Sequence, residues 1–122
     1  MINCNGKKAA YIDDNKLMLN IIKSKLEKFG FKIDVGESVA DLYKLMEHNQ
    51  YDILILDDMM PEVSGTDAMQ KLKSDGYNKP IVVLTGNDSF EDRRRYLKYG
   101  FDEYIAKPPK DEELDRVFNV FF

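Results

Sequence analysis

Cysteine and histidine are almost absent from this chain: Cys4 and His48 are the only examples among 122 residues. One cysteine rules out an intrachain disulfide and makes a reducing cytosol the natural compartment. One histidine rules out a His-based metal cluster and any scheme with two cooperating histidines. No apolar segment approaches the ~20 residues that a membrane-crossing helix needs, and the N-terminus lacks the charged-then-apolar layout of a secretory signal. A basic excess is missing too. With 18 Lys and Arg against 22 Asp and Glu, the net charge of −4 argues against a nucleic-acid-binding surface. There is no low-complexity tract, internal repeat or internal linker. What is present is 43% hydrophobic and 33% charged, the balance of a soluble globular domain. The length suits one domain, residues 1–122 with a core from about residue 7, and leaves no room for a second core. Met1–Gly6 reads as a polar lead-in. Demanding chemistry in such a chain falls to carboxylates.

Apolar runs and helical patterns alternate five times. Lys8–Ile12 reads as a strand, followed by Leu17, Met18, Ile21, Ile22, Leu26 and Phe29 at helical spacing until Gly30. Phe31–Val35 is a second strand, and Ser38 caps a helix carrying Val39, Leu42, Leu45 and Met46. Asp52–Asp57 is a third strand, near-continuously apolar because a parallel strand is covered on both faces. After a loop with Pro61 and Gly65 comes a helix with Ala68, Met69 and Leu72, ending near Gly76. Pro80–Thr85 is the fourth strand; Asp88 or Ser89 opens a charged helix that Gly100 ends. Glu103–Ala106 is the fifth strand, and Leu114, Val117, Phe118 and Phe121 mark a last helix. Repeated β-α units predict an α/β fold, a doubly wound parallel sheet with right-handed crossovers and helices on both faces.

The polar residues that end these runs carry the chemistry. The first strand ends on Asp13-Asp14, the third on Asp57, the fourth on Thr85 and the fifth on Lys107. In an open parallel sheet the strand C-termini line up along one edge, where ligands bind. Carboxylates meeting there ~4 Å apart repel one another by roughly 4 kcal/mol per pair at an effective dielectric of about 20. A divalent cation relieves that repulsion, and a small all-oxygen site with waters suits Mg²⁺. Lys107 adds a movable positive charge of the kind found beside phosphates, and Thr85 adds a hydroxyl. The set suits phosphoryl transfer onto a carboxylate.

At this point the chain resembles the receiver domains of two-component signalling, over essentially Lys7 to Phe122. The resemblance rests on Tyr-Ile-Asp-Asp-Asn (11–15), Leu-Asp-Asp-Met-Met-Pro-Glu-Val-Ser-Gly (56–65), Val-Leu-Thr-Gly (83–86) and Tyr-Ile-Ala-Lys-Pro (104–108). It implies a flavodoxin-like five-stranded sheet of order 2-1-3-4-5 with five helices. It also implies a phosphoacceptor aspartate four residues before Pro61, which is Asp57 rather than Asp58. Strand alternation agrees in part, since adjacent residues cannot both point into one site. Asp13 and Asp14 match the acidic pair that holds Mg²⁺, and the backbone carbonyl of Met59 matches a further ligand. Thr85 and Lys107 match the residues that contact the bound phosphoryl group, and Tyr104 matches an aromatic switch that turns inward as Thr85 moves. Pro108 matches a proline preceded by a cis bond. Pro109, where a bulky apolar residue is usual, obscures the start of the last helix. Gly86 stands where alanine is common and keeps the side chain small. Asp58, often apolar in this family, adds acidity near the site.

The phosphodonor implied is a histidine kinase or a histidine phosphotransfer domain. The reader implied is a downstream protein or a covalently linked domain, with no direct contact to nucleic acid or membrane. The location implied is cytoplasmic, including the cytoplasmic part of a longer sensor kinase. Asp-Asp-Asn after the first strand, Asp58 and the run 100–108 look most like receivers of hybrid sensor kinases. The domain would modify itself rather than turn over as an enzyme. One rival is a phosphorylation-independent docking module, which would have lost an acidic residue, Thr85 or Lys107. The others are an aspartyl-phosphate phosphatase, which would carry Asp-x-Asp after its first strand, and a flavin carrier, whose phosphate loop Asp13-Asp14 would repel. His48 reads as solvated surface. Arg93-Arg94-Arg95 reads as a solvated helix face, on the side where receivers signal, with Tyr96, Tyr99 and Tyr104 near it. Met59-Met60 read as packing residues, and Phe122 as the exposed end of the last helix.

Overall fold

A computed structural model describes residues 1–122. Its elements are β1 (Lys8–Ile12), α1 (Lys16–Lys28), β2 (Lys32–Gly36), α2 (Val39–His48), β3 (Ile53–Leu56), α3 (Gly65–Ser74), β4 (Ile81–Thr85), α4 (Phe90–Tyr99), β5 (Glu103–Ala106) and α5 (Asp111–Phe121). The strands form one sheet in the order β2-β1-β3-β4-β5, and every neighbouring pair is parallel. Both the doubly wound sheet and its strand order are as expected.

The pleat of each central strand sorts its side chains to two cores. Ala9, Tyr11, Ile53, Ile55, Val82 and Leu84 face α1 and α5, while Ala10, Ile12, Leu54, Leu56, Ile81 and Val83 face α2, α3 and α4. Alternate residues of a strand point to opposite faces, so only strands covered on both sides read as unbroken apolar runs. Phe118 of α5 closes the first core edge-on to Phe29 and Phe31, with ring centroids 5.2 and 4.8 Å away.

Local chemistry sets the helix starts. Asn15, Ser38, Ser64 and Ser89 each accept a backbone N–H from the first turn of the following helix. At α4 the cap is reciprocal, with Asp92 reaching back to the Ser89 backbone. Lys110 caps α5 without a side-chain bond, and Asp111, Glu112 and Glu113 place negative charge at its N-terminus instead. Lys107–Pro108 is cis.

Several expectations need correction. Met1–Gly6 is not a lead-in. Cys4 is 1% exposed within the first core, its N–H donates to the Phe29 carbonyl, and the Ile2 N–H donates to Asp115 at 2.5 Å. Gly30 makes this packing possible: a Cβ there would lie 2.8 Å from the Asn5 backbone nitrogen. Leu17 and Ile21 point outward, and α1 buries Leu19, Ile22 and Leu26 instead. A helix presents about a third of its surface to the core, and six apolar residues are more than that stripe admits. Met59 is not a packing residue, being 71% exposed. Phe122 is half-buried against Phe31, and His48 is exposed as expected.

Candidate functional site

Backbone bonds that continue past the strands bring the site together. The Asp13 N–H donates to the Gly36 carbonyl, the Asp57 N–H to Ile12 at 2.9 Å, and the Lys107 N–H to Thr85 at 2.8 Å. Asp13, Asp57 and Lys107 are therefore each fixed by the neighbouring strand. One carboxylate oxygen from each of Asp13, Asp14 and Asp57 lies within 4.8 Å of the others. Asp13 and Asp57 are buried and Asp14 is exposed, so the cluster opens to solvent on one side only.

Lys107 is the cation of this cluster. Its Nζ lies 2.6 Å from Asp13 Oδ2 and 3.3 Å from Asp57 Oδ1. Asp13 also accepts the Tyr11 hydroxyl at 2.6 Å and the Asn15 N–H at 3.0 Å, which leaves its position over-determined. The Tyr11 hydroxyl is pushed well above the ordinary phenol range, first by burial and then by its bond to Asp13. Asp57 is only 6% exposed. Burial pushes its carboxyl up to about 6; Lys107 pulls the other way, and Asp13 and Asp14 add to the rise. Three carboxylates face a single lysine. The donor set is all oxygen and hard, part buried and part wet, and it fits Mg²⁺.

Thr85 is buried at the end of β4, and its Oγ1 accepts the Asn87 N–H at 3.2 Å. Tyr104 already lies inward, buried on β5 with its hydroxyl donating to the Asn87 carbonyl. The resemblance associates that position with the phosphorylated form. Gly86 faces open space, with nothing within 4 Å of a Cβ placed there. Asp58 turns away from Asp57, as strand alternation requires. Its Oδ1 accepts the Thr66 N–H at 3.0 Å and hydroxyl at 2.6 Å, and its Oδ2 accepts the Tyr96 hydroxyl at 2.8 Å. Tyr96 is thus buried rather than presented on the outer face of α4.

Sequence reasoning missed Tyr11, Asn15, Thr66, Asn87 and Tyr96 as partners of the site. Tyr11 could have been found, because it sits two residues before Asp13 on the same face of one strand. The others come from separate elements and leave no local pattern.

Residues 10–119 match the family model described as the response regulator receiver domain. The chain is 33% identical over 114 residues to the heme response regulator HssR of Staphylococcus epidermidis, covering 93% of this chain and 48% of that protein. The chain therefore spans about half the length of the curated relatives it matches. Among solved structures, the receiver domain of the Francisella response regulator 1452 superposes with a TM-score of 0.85 at 31% identity, covering 95% of this chain and 96% of that one. The receiver of the sensor histidine kinase PA1611 from Pseudomonas aeruginosa gives a TM-score of 0.82 at 26% identity, with 95% and 97% covered. That structure has a magnesium ion coordinated in its active-site cleft.

Proposed function

The chain belongs to the response regulator receiver family of two-component signalling, and on that premise we propose that Asp57 is its phosphoacceptor within a single receiver domain, residues 1–122. The observation that carries this reading is a buried carboxylate with Lys107 Nζ at 3.3 Å and the oxygens of Asp13 and Asp14 close by. At neutral pH the Asp57 carboxylate is ionised but poorly hydrated, and a desolvated carboxylate is a better nucleophile than a surface one. One of its oxygens attacks the phosphorus of a phosphohistidine in line. A P–O bond forms as the P–N bond breaks, and the imidazole leaves with the electron pair and takes up a proton. The Lys107 ammonium neutralises charge on the phosphoryl oxygens, and the Thr85 hydroxyl donates to one of them. Asp13, Asp14 and Asp57, with the Met59 carbonyl that the resemblance adds, would hold Mg²⁺, which would further neutralise charge on those oxygens.

The resulting acyl phosphate hydrolyses spontaneously, so the domain modifies itself and does not turn over as an enzyme. The Thr85 and Tyr104 surface then passes the change to a downstream protein or linked domain. The donor is a histidine kinase or a histidine phosphotransfer domain, and the setting is cytoplasmic, without direct contact to nucleic acid or lipid. Two contexts offer the same chemistry: a response regulator, as in HssR, and a sensor kinase, as in PA1611. The docking-only alternative is not favoured, because Asp13, Asp14, Asp57, Thr85 and Lys107 are all present.

Incubation with Mg²⁺ and acetyl phosphate tests the reading by intact mass. One phosphoryl group per chain is expected, and chelating the Mg²⁺ should suppress it. No adduct at any Mg²⁺ concentration, or an adduct indifferent to the chelator, counts against it.

A further inference from the structure

Tyr96 is the only fully buried residue of α4, and with Leu97 packed beside the same core and Arg93 paired to Glu103 of β5 it anchors this charged helix to the sheet. Beside its packing on Phe101, three contacts tie that side chain to the site. Its hydroxyl donates to Asp58 Oδ2 at 2.8 Å, the Asn87 side-chain amide donates to the same hydroxyl at 3.2 Å, and its ring stacks on Tyr104 with centroids 6.1 Å apart and planes at 24°. Asn87 is the hub of the group. Its carbonyl accepts the Tyr104 hydroxyl, and its N–H donates to Thr85 Oγ1. Asp58, next to Asp57 in the chain, is itself anchored by two bonds from Thr66 on α3. A continuous set of contacts therefore runs from the residue beside Asp57, through α4, to Tyr104.

We infer that Asp58 and Tyr96 are positioning residues that hold Tyr104 inward, so that this chain rests near the arrangement that a phosphoryl group on Asp57 favours. The inference rests on the phosphoacceptor reading for its coupling to Asp57, and on geometry alone for the hold on Tyr104. A buried hydroxyl between two polar partners cannot leave them without stranding a charged acceptor, and a hydrogen bond to a charged group is among the stronger ones. By reciprocity, a latch that favours the inward state raises the affinity for any ligand of that state, and loosening the latch lowers it by the same factor.

Tyr96→Phe removes the hydroxyl and keeps the ring, so the fold survives. In metal-free protein, nitration of Tyr104 by tetranitromethane should rise at least about fivefold, toward the level of Tyr99, which is 44% exposed. With Mg²⁺ present, affinity for the phosphoryl mimic beryllofluoride should fall about three- to tenfold, since only the part of the bond's worth that differs between the two positions of Tyr104 is lost. Asp58→Asn keeps one acceptor oxygen, which the two Thr66 bonds hold, and turns its NH2 toward the Tyr96 hydroxyl, so it and Asp58→Ala both leave that hydroxyl without an acceptor. Both should behave like Tyr96→Phe, which alone of the three leaves the charge of Asp58 in place. Unchanged Tyr104 nitration in Tyr96→Phe would overturn the latch, as would an effect confined to the two Asp58 variants, which would trace it to charge. A parent protein that does not bind beryllofluoride overturns the phosphoacceptor reading instead, and nitration reads the latch separately.

Discussion

Asp57→Asn will stabilise the metal-free protein at neutral pH while abolishing its capacity to hold a phosphoryl group. The cause is the burial that makes Asp57 useful. Its carboxyl is pushed from the ordinary 3.8 up to about 6 in the folded chain. Between those values the folded state holds a proton that the unfolded state has released, so stability from this group is present below about pH 4 and is lost as the pH rises through 6. Above that the ionised carboxylate burdens the fold by an amount on the order of 2–3 kcal/mol, at about 1.4 kcal/mol per unit. Asparagine keeps the shape and carries no such burden. Its advantage over the parent should be near zero at pH 4, grow to its plateau above pH 6, and raise Tm by roughly 10 °C there. Paired thermal melts across this range check it. Mg²⁺ should shrink the gap, because it binds the parent better than the variant. A variant no more stable than the parent at pH 7.5 would mean that Asp57 is not held at a cost.

Gly65→Ala is expected to be the most damaging change of a single methyl group. A Cβ at Gly65 would lie 2.2 Å from the Asp57 carbonyl oxygen and 3.1 Å from the Asp58 Cα. Both are backbone atoms, fixed by the sheet on one side and by the Gly65 N–H on the Asp58 carbonyl on the other. Alanine is otherwise the better residue by about 1 kcal/mol at a helical position. The clash must overcome that preference, and overpacking against rigid backbone costs about 1–3 kcal/mol or more. A net loss of about 2 kcal/mol should lower Tm by roughly 8 °C. Relief of the clash moves the end of β3, and with it Asp57. A displacement near 1 Å at a reacting group can cost about 10²-fold in rate, so phosphorylation by acetyl phosphate should slow far more than stability falls. Gly86→Ala is the control, since nothing lies within 4 Å of its new methyl. A Gly65→Ala protein with the parent's melting temperature and phosphorylation rate would contradict this.

The residues that were legible in the sequence share a physical reason. Strands covered on both faces must be apolar throughout, so β1, β3 and β4 stand out, and a parallel sheet delivers whatever follows them to one edge. That is why Asp13, Asp14, Asp57, Thr85 and Lys107 are legible as one site in the sequence alone. The strand order and the distinct roles of Asp57 and Asp58 came from family resemblance. Tyr96 escaped because its neighbours Arg93-Arg94-Arg95 and Lys98 make α4 read as a solvated face. Its burial depends on Asp58 and Tyr104, which come from other elements. Cys4 escaped for a similar reason: it enters the core from a polar segment only because Gly30 and Phe29 lie where that segment passes. Leu17, Ile21 and Met59 show the opposite failure, where apolar character did not mean burial.

The central claim is that the phosphoryl group sits on one carboxylate out of four neighbouring aspartates. Borohydride reduction of the phosphorylated protein converts an aspartyl phosphate to homoserine, and peptide mapping then locates it. The account predicts homoserine at position 57 alone, absent without phosphodonor and absent from Asp57→Asn. Homoserine at position 13, 14 or 58 of the parent, or a phosphoryl group that resists borohydride, would contradict it.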